Sequence, residues 1–394
     1  MRFKIFLLLI PLFLLTLTAP THAWWFEYNT PEENLPIAVD ENIWESDPIA
    51  LPSGNGSTLV VFYNGEVGIC YQLIDRYGEL VFPEPQSIVT GPDDSDRYYP
   101  KAISDGDGGA FVAWRVYFTS PNQGYYIQHL DSLGNRVWDE GIQLTDWEES
   151  DFTLNVDGQG GLYFAAKYTG PGSNGSDIWA QRIDADGQFM WGDSGRFILC
   201  LPYNERYPEI THDGNGGLYI VWEDWRSPYT TAGALFMQRF DEYSFQVWPD
   251  PAGIFIYEGA WYHDVIPDGE GGFILHTGSA TYGYAFRIGS DGTTLWSRDH
   301  VSWGSGYQEI VPGEPGYFYL GYSWGPMYAQ RMDVDGNFYW PDWSIGQYGA
   351  LMGELDNFDH GSYPDWAYKY PYFFAGCPTA CCGIISLTCP PMSF

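Results

Sequence analysis

Short segments in which apolar residues are dense, or alternate with polar ones, recur along the chain between glycine-rich turns. In the copy that runs from Pro208 to about Ile256, this pattern predicts four strands, at 208–212, 217–223, 235–241 and 245–248. The second of these is apolar enough to be buried on both faces. No amphipathic run has helical spacing, so the pattern predicts an all-β chain.

Two turn motifs mark the repeat. The first, Asp-Gly-x-Gly-Gly, is clearest at Asp213 and also begins at Asp105, Asp157 and Asp268, with degenerate copies at Ser53 and Pro312. The second is a Gln-Arg-apolar-Asp-x-x-Gly segment followed by an aromatic residue, as in Gln181 to Trp191, and it follows each copy of the first. A period of roughly 40–50 residues is the size of one four-stranded propeller blade. Six copies between Ser53 and Trp340 favour a six-bladed β-propeller, and a seventh blade completed by residues 341–380 is the alternative.

The paired motifs resemble the propeller repeats of large secreted bacterial proteins, most of them uncharacterised, over roughly residues 35–340. The resemblance implies a propeller fold and a location outside the cell. It implies no reaction, because propellers support unrelated functions. Blades of that family often precede a C-terminal sorting or anchoring module, which residues 388–394 do not resemble.

The first 23 residues have the organisation of a secretory signal peptide. A basic start with Arg2 and Lys4 precedes an apolar run from Ile5 to Leu17, and Thr21-His22-Ala23 matches a cleavage site. An uncleaved anchor is the alternative, although the run is short for a membrane span. The sequence therefore predicts a secreted or cell-surface protein, not inserted in the membrane after cleavage.

The remaining chain divides into a propeller at 24–345 and an irregular, aromatic and Cys-rich tail at 346–394. Residues 34–39 resemble the segments that close later repeats, so the N-terminal segment is expected to close the ring. Cys377, Cys381, Cys382 and Cys389 crowd the tail, where disulfides are more plausible than zinc because no histidine or Cys-x-x-Cys accompanies them. Cys70 and Cys200 lie in strand-like segments and are predicted to be buried thiols.

The net charge is −34, and it becomes −36 once Arg2 and Lys4 leave with the signal peptide. This argues against nucleic acid and anionic membranes as partners, and mutual repulsion favours a monomer. Aromatic residues make up 19% of the chain, which supplies ample material for a core despite the charge. No cofactor is predicted. Calcium at the Asp-x-Asp-Gly turns of Asp184 and Asp333 is the alternative to a plain hairpin turn, but neither turn has the later bidentate acid of a calcium loop.

No catalytic residue can be assigned. The chain lacks Gly-x-Ser-x-Gly, His-Glu-x-x-His and phosphate-binding loops. The arginines of the second motif, Arg182, Arg239 and Arg331, recur with the repeat and are interpreted as structural.

One face of the predicted ring carries aromatic and acidic loops. If the strand before each Asp-Gly turn is innermost, the loops entering it and the loops between second and third strands open on the same face. Aromatic rings beside carboxylates suit the apolar faces and hydroxyls of sugars. The alternative interpretation is that these aromatic residues pack loop against loop. The candidate ligand-binding residues are Trp44, Asp96, Arg97, Tyr99, Trp147, Glu148, Tyr203, Arg206, Tyr207, Trp225, Arg226, Trp261, Tyr262, His263 and Trp303.

Three hypotheses follow. The favoured one is a non-catalytic binding or adhesion module for an extracellular glycan or protein. The second is a carbohydrate-active enzyme, a hydrolase or lyase, that uses carboxylates such as Glu148 and Glu149 in the funnel. The third is a purely structural spacer of the cell envelope.

Overall fold

The computed structural model describes residue 37 and residues 45–89, 97–116, 122–173, 175–226, 233–259, 262–278, 282–303, 308–323, 327–339 and 350–353. These residues form a six-bladed β-propeller, in which each blade is a four-stranded antiparallel sheet with its strands in chain order. The predicted fold class and the favoured blade number are confirmed.

Within the described residues there are 24 strands and one short 3-10 helix, Gly54–Gly56, between the first two of them. Blade 1 contains β1 (Glu45–Pro52), β2 (Thr58–Asn64), β3 (Gly68–Ile74) and β4 (Gln86–Ser87). Blade 2 contains β5 (Arg97–Ser104), β6 (Ala110–Val116), β7 (Gly124–Leu130) and β8 (Ile142–Gln143). Blade 3 contains β9 (Phe152–Val156), β10 (Leu162–Tyr168), β11 (Asp177–Ile183) and β12 (Arg196–Leu199). Blade 4 contains β13 (Glu205–His212), β14 (Leu218–Asp224), β15 (Ala234–Phe240) and β16 (Ile254–Glu258). Blade 5 contains β17 (Tyr262–Pro267), β18 (Phe273–Gly278), β19 (Tyr282–Ile288) and β20 (Thr294–Trp303). Blade 6 contains β21 (Gln308–Pro312), β22 (Tyr317–Ser323), β23 (Met327–Asp333) and β24 (Ala350–Gly353).

The first strand of each blade is the innermost. First strands of successive blades contact one another, from β1 to β5 and onward to β21. Because the strands run antiparallel in chain order, the turns after first and third strands lie at one end of the propeller. We call this end the turn face. The loops that enter first strands, and those between second and third strands, lie at the other end, which we call the funnel face.

The core lies between blades. Five apolar clusters each join two neighbouring blades, from the pair 1–2 to the pair 5–6. Every residue of β2 and β14 is buried, as the dense apolar pattern of second strands predicts. On the side of blade 1 away from blade 2, Ile37 packs with Ala50, Val60 and Phe62.

The first turn motif is held by its aspartate. In blade 4, one carboxylate oxygen of Asp213 accepts the N–H groups of Asn215 at 2.7 Å and Gly217 at 2.9 Å, and Gly214 and Gly216 take φ values of 77° and 85°. The other oxygen accepts two hydrogen bonds from Arg239 on β15, at 3.1 and 2.7 Å. The aspartate therefore ties the turn to the third strand.

Other blades repeat this arrangement with their own residues. Arg182 bonds Asp157 and Arg287 bonds Asp268, while His129 takes the place of arginine opposite Asp105 at 2.9 Å. In blade 6, Arg331 pairs with Glu314. The structural interpretation of the repeated arginines is thus supported by their geometry.

One predicted strand of blade 4 is wrong. Residues 245–248 make only a short continuation of the third-strand hairpin, in which Val247 donates to Arg239 O at 2.8 Å. Pro249 and Pro251 lack N–H groups and interrupt further pairing, and the chain returns through Gly253, at φ 80°, to form the true fourth strand β16.

The structure describes the last strand of the propeller but not the N-terminal segment that was expected to close the ring. The outer strand of blade 6, β24, lies past residue 345, where the sequence analysis ended the propeller. The expected ring closure by the N-terminal segment stays a prediction, since residues 24–44 other than Ile37 lie outside the described part, as do the tail cysteines. Cys70 is buried as predicted, but Cys200 is exposed because it follows the last residue of β12.

Candidate functional site on the funnel face

Four tyrosines of the funnel face are exposed. Tyr99 is 43% accessible, Tyr203 39%, Tyr207 49% and Tyr262 38%. All four belong to the predicted ligand-binding set. They belong to the loops and first strands of blades 2, 4 and 5, so all four lie at the funnel face, with Tyr203, Tyr207 and Tyr262 on adjacent blades and Tyr99 two blades away from blade 4.

Backbone bulges direct two of these tyrosines. The pairing of first and second strands shifts between Tyr98 and Lys101 in blade 2, and between Arg206 and Glu209 in blade 4. Within these bulges Tyr99 has φ 56° and Tyr207 has φ 49°, in the left-handed region. A non-glycine residue there costs about 1–2 kcal/mol, and such bulges re-aim side chains. In both bulges, therefore, a strained backbone conformation is found at an exposed tyrosine.

The sequence carried a signal for these bulges that the sequence analysis did not use. A proline follows each left-handed residue, as in Tyr99-Pro100, Tyr207-Pro208 and the equivalent Asp47-Pro48 of blade 1, where Asp47 has φ 52°. Proline cannot donate to a strand ladder and is confined to edges and bulges of sheets.

An ion pair supports the blade 2 tyrosine. Arg115 lies with its guanidinium carbon 4.2 Å from the centre of the Tyr99 ring, and it bonds Glu148 at 3.1 Å and the carbonyl of Glu149 at 3.0 Å. Burial raises the pKa of the Glu148 carboxyl, and Arg115 opposes this effect. Glu148 therefore holds Arg115 beneath Tyr99 and is not an open carboxylate.

Trp147 packs inside the structure. It is half-buried, and its ring makes edge contacts with Tyr125, Tyr168 and Trp179 at centroid distances of 5.7, 4.8 and 5.6 Å. It thus fills space between blades 2 and 3, as the packing alternative described.

Blade 4 supplies the other charged residues of the face. Arg206 lies 5.9 Å from the centre of the Trp225 ring, and the indole of Trp225 donates to Glu223. Arg226 donates to Asp224, which is fully buried. Two arginines and a tryptophan are therefore fixed at the end of β14.

Glu223 is the titratable group of this cluster. Burial raises its pKa to about 7, although the hydrogen bond from Trp225 and the charge of Arg206 oppose this. The carboxylate of Asp151 raises it further and is itself paired with Lys167 at 2.9 Å.

Acidic groups continue from the face into the central channel. Burial, reinforced by Glu209 and Glu309 from the inner strands of blades 4 and 6, raises the pKa of Asp264 to about 8. Burial likewise raises the pKa of Glu309 to about 7, against the opposing charge of Lys101. The ammonium of Lys101 lies 3.9 Å from Glu209. The charge of Lys101 thus acts on two of these inward carboxyl groups, Glu209 and Glu309.

His263, the predicted site histidine, lies between blades 4 and 5. Burial lowers its pKa to about 4, against the opposing effect of the backbone carbonyls of Tyr207 and Val221. It is therefore neutral near pH 7.

The sequence analysis did not select Glu205 as a candidate ligand-binding residue, although this residue is, with Asp224, one of two completely buried acids at this face. It is completely buried, one carboxylate oxygen accepts the N–H of Leu201 at 3.3 Å, and the other has no hydrogen-bond partner in the described part of the chain. Burial raises its pKa to about 8, and Asp224, its cross-strand neighbour, adds to the effect. The sequence places Glu205 in a loop of this face, but only the fold reveals its burial, because the surrounding loop is rich in polar residues.

Several predicted residues cannot be placed. Trp44, Asp96 and Trp261 lie outside the described residues. Arg97 and Trp303 lie in β5 and β20, but the description does not extend to their side chains.

The turns considered for calcium have their carboxylates engaged with the backbone. One oxygen of Asp184 accepts N–H groups at 3.0 and 2.8 Å, and Asp333 repeats both distances. Within the described residues, no cluster of three or more His, Cys, Asp or Glu side chains is arranged to hold a metal ion. The same part of the chain contains no helix that is long and apolar enough to cross a membrane.

No protein-family model and no curated protein matches the chain. Among solved structures, a lectin from Burkholderia pseudomallei is similar with a TM-score of 0.51 and 10% identity, over 76% of this chain and 83% of the lectin. A protein of unknown function from Dyadobacter fermentans has a TM-score of 0.46 and 12% identity, over 77% and 94%. Prolyl oligopeptidase B from Galerina marginata has a TM-score of 0.45 and 13% identity over 81% of this chain, which spans only 44% of that enzyme. At such identities the likeness concerns the propeller fold alone.

Proposed function

We propose that the funnel face is a non-catalytic binding surface for an extracellular glycan, in a protein exported from the cell that makes it. The observation that carries this proposal is the set of exposed tyrosines Tyr99, Tyr203, Tyr207 and Tyr262 on one rim. Their rings offer flat apolar surfaces for sugar C–H groups, and nearby acids and arginines offer hydrogen bonds to hydroxyls. Two of these tyrosines, Tyr99 and Tyr207, are on inner strands whose bulges fix their backbone. Binding a ligand should therefore cost little conformational entropy at these residues.

Pairing of the surrounding acids favours binding over catalysis. Glu148 is bonded to Arg115, Asp151 to Lys167, and Asp224 to Arg226. Acids held in such pairs fix the shape and charge of the surface, whereas a general acid or base needs a proton that moves between enzyme and substrate. The negative charge of the chain also suits a neutral or cationic glycan better than an anionic one.

One observation favours a second function, a glycoside hydrolase or lyase. Glu223 has its pKa raised to about 7 and experiences the charge of Asp151 from the neighbouring blade. An acid whose pKa lies near neutral pH, close to a second carboxyl group, is the arrangement that glycosidic cleavage uses.

The test is a panel of soluble polysaccharides, presented to the chain from residue 24, with binding and released reducing sugar measured together. We expect a glycan to bind without sugar release, and Tyr207→Ala and Tyr99→Ala each to weaken binding by about tenfold, the loss of one stacking contact. Tyr243→Ala, on the turn face, is the control and should bind as the parent does. Chelation of calcium should leave binding unchanged.

Three outcomes would contradict the proposal. Sugar release that Glu223→Gln abolishes would assign the enzymatic function. Equal weakening by Tyr243→Ala would show that the binding is not at the funnel face. Failure of every glycan to bind would leave an extracellular protein, or the role of a structural spacer, as the better account of the face.

A further inference from the structure

The turn face contains six copies of one hairpin turn, between the third strand and the outer segment of each blade. The fourth position of the turn is glycine in five copies, namely Gly78, Gly134, Gly187, Gly292 and Gly336. The next position is polar in the same five copies, as Glu79, Asn135, Gln188, Thr293 and Asn337. The chain therefore supplies five internal standards against which the sixth copy can be compared.

The blade 4 copy departs from this pattern at both positions. Ser244 replaces glycine and still takes φ 70°, in the left-handed region where a side chain is strained. Phe245 replaces the polar residue and is 69% exposed, more than any other large apolar residue of the described chain. Both changes oppose folding and solubility.

Two more apolar residues near Phe245 are exposed. Tyr243, in the turn itself, is 64% exposed, and Val247, two residues beyond Phe245 on the segment that leaves the turn, is 45% exposed. Phe245 and Val247 lie on the same side of that segment, because alternate residues of extended chain face the same way. We call Tyr243, Phe245 and Val247 the blade 4 stripe. Four residues separate its ends, which is at most about 13 Å, because the chain turns at Ser244.

Neighbouring blades extend the stripe on both sides. The indole of Trp191 bonds Glu242 O at 2.9 Å, which brings the outer segment of blade 3, with Met190 51% exposed, against the blade 4 turn. The indole of Trp248 bonds Ser290 O at 3.1 Å and in the same way joins the outer segment of blade 4 to the turn of blade 5, a blade in which Leu295 is 54% exposed.

The segments around the stripe are acidic. Arg239, whose strand leads into this turn, is already paired with Asp213 at 2.7 Å. Carboxylates stand in all three blades, at Asp186, Asp193, Asp241, Glu242, Asp250 and Asp291. A second copy of this chain, or an anionic lipid surface, would bring like charges together at this place.

We infer that the blade 4 stripe is a docking site for a basic amphipathic segment of another protein. Its apolar residues would cover Tyr243, Phe245 and Val247, and its lysine or arginine side chains would face the surrounding carboxylates. Two turns of helix span about 11 Å, which matches the length of the stripe. The inference is independent of glycan binding, because the stripe lies on the opposite end of the propeller.

The test uses two labelled model peptides, one of leucine and lysine with an amphipathic helical pattern, and one with glutamate in place of lysine. Fluorescence anisotropy should show binding of the lysine peptide alone, with affinity that falls as salt is raised. Phe245→Gln and Tyr243→Asp give blade 4 the residues that blade 3 has at the same positions, so both variants should fold. Each should weaken the lysine peptide by about tenfold or more. Tyr77→Asp, at the matching position of blade 1, is the control and should retain parental affinity.

Several results would overturn the inference. If the glutamate peptide bound as tightly as the lysine peptide, charge would not explain the binding. If Tyr77→Asp weakened the lysine peptide as much as Tyr243→Asp does, the peptide would not be binding specifically at blade 4. If Phe245→Gln kept a native circular dichroism spectrum and bound the lysine peptide with unchanged affinity, the stripe would not be the docking site. Concentration-dependent dimerisation that Phe245→Gln abolishes would assign the stripe to a second copy of the chain instead.

Discussion

The indole N–H of Trp191 donates a hydrogen bond to the main-chain carbonyl of Glu242, 2.9 Å away, and so joins blade 3 to blade 4. The same bond recurs one blade on, from Trp248 to Ser290 at 3.1 Å, and again from Trp296 to Val334 at 2.8 Å. Trp138 occupies the equivalent position in blade 2, but its buried indole nitrogen has no hydrogen-bond partner in the described part of the chain.

This difference gives a first prediction. Trp191→Phe removes a bonded N–H and should lower the free energy of unfolding by about 1–2 kcal/mol beyond the loss of ring area. Trp138→Phe removes a nitrogen that is already unsatisfied, so it should cost less. Urea unfolding of the two variants measures the difference. If both variants lost the same free energy of unfolding, the volume of the ring, and not the hydrogen bond between blades, would determine the contribution of the tryptophan to stability.

The Asp–Arg ties give a second prediction. Arg182 and Asp157 are both nearly inaccessible, with 6% and 2% side-chain exposure. Arg182→Leu should therefore destabilise the protein by about 3–5 kcal/mol, because it leaves a buried carboxylate without its partner. In blade 6, Arg331 and Glu314 are 24% and 41% exposed, so Arg331→Leu should cost less than about 1 kcal/mol. Similar losses in thermal unfolding would contradict this account.

A third prediction concerns pH. The pKa of Glu205 rises from 4.5 in the unfolded chain to about 8 in the folded protein, so the folded state favours the protonated form. The stabilising contribution is fully present below pH 4.5 and is lost as pH rises toward 8, at about 1.4 kcal/mol for each unit of pKa difference. Asp264, with its pKa raised to about 8, acts in the same direction.

Glu205→Gln should remove this dependence at its site. Relative to the parent, the variant should gain stability between pH 5 and pH 8, as measured by urea unfolding at each pH. Glu140→Gln, at an exposed position, serves as the control. A variant that keeps the parental slope would show that Glu205 is ionised in the folded protein.

A fourth prediction isolates the strain at the blade 4 turn. Ser244→Gly should raise the free energy of unfolding by about 1 kcal/mol, because glycine takes φ 70° without a clash of its own. The reverse change, Gly187→Ser in blade 3, should destabilise, since an added Cβ would lie 2.7 Å from Ile142 Cδ1 at φ 82°. If Ser244→Gly were neutral or destabilising, the left-handed serine would not be strained.

The sequence predicted the architecture because its signals are local. A glycine after Asp213 and a glutamine before Arg239 specify turns whose partners lie within one blade. The fourth strand of blade 4 was misplaced for the same reason, since Phe245 to Trp248 is apolar and alternating although Pro249 prevents it from pairing further.

The site was predictable only in part. Tyr99 and Tyr207 stand in loops whose position follows from the repeat, and they are exposed as expected. Trp147 stands in an equivalent loop but packs against Trp179, and no pattern in one sequence distinguishes a ring that meets solvent from one that fills a gap between blades. The blade 4 stripe was missed because matches to the repeat were sought, whereas Ser244 and Phe245 are departures from it.

The bonds that hold the blades together are not shared equally between the turn face and the funnel face. The Asp–Arg ties and the tryptophan bonds between blades involve the Asp-Gly turns and the outer segments, while the funnel loops between β12 and β13, or between β4 and β5, contain neither motif. A loop of the funnel face can therefore be exchanged for one of another length or composition while these bonds stay intact. In engineering terms, the propeller is a frame with two sets of exchangeable loops at one end, and the binding properties of that end can be changed without redesigning the turns and bonds that join the blades.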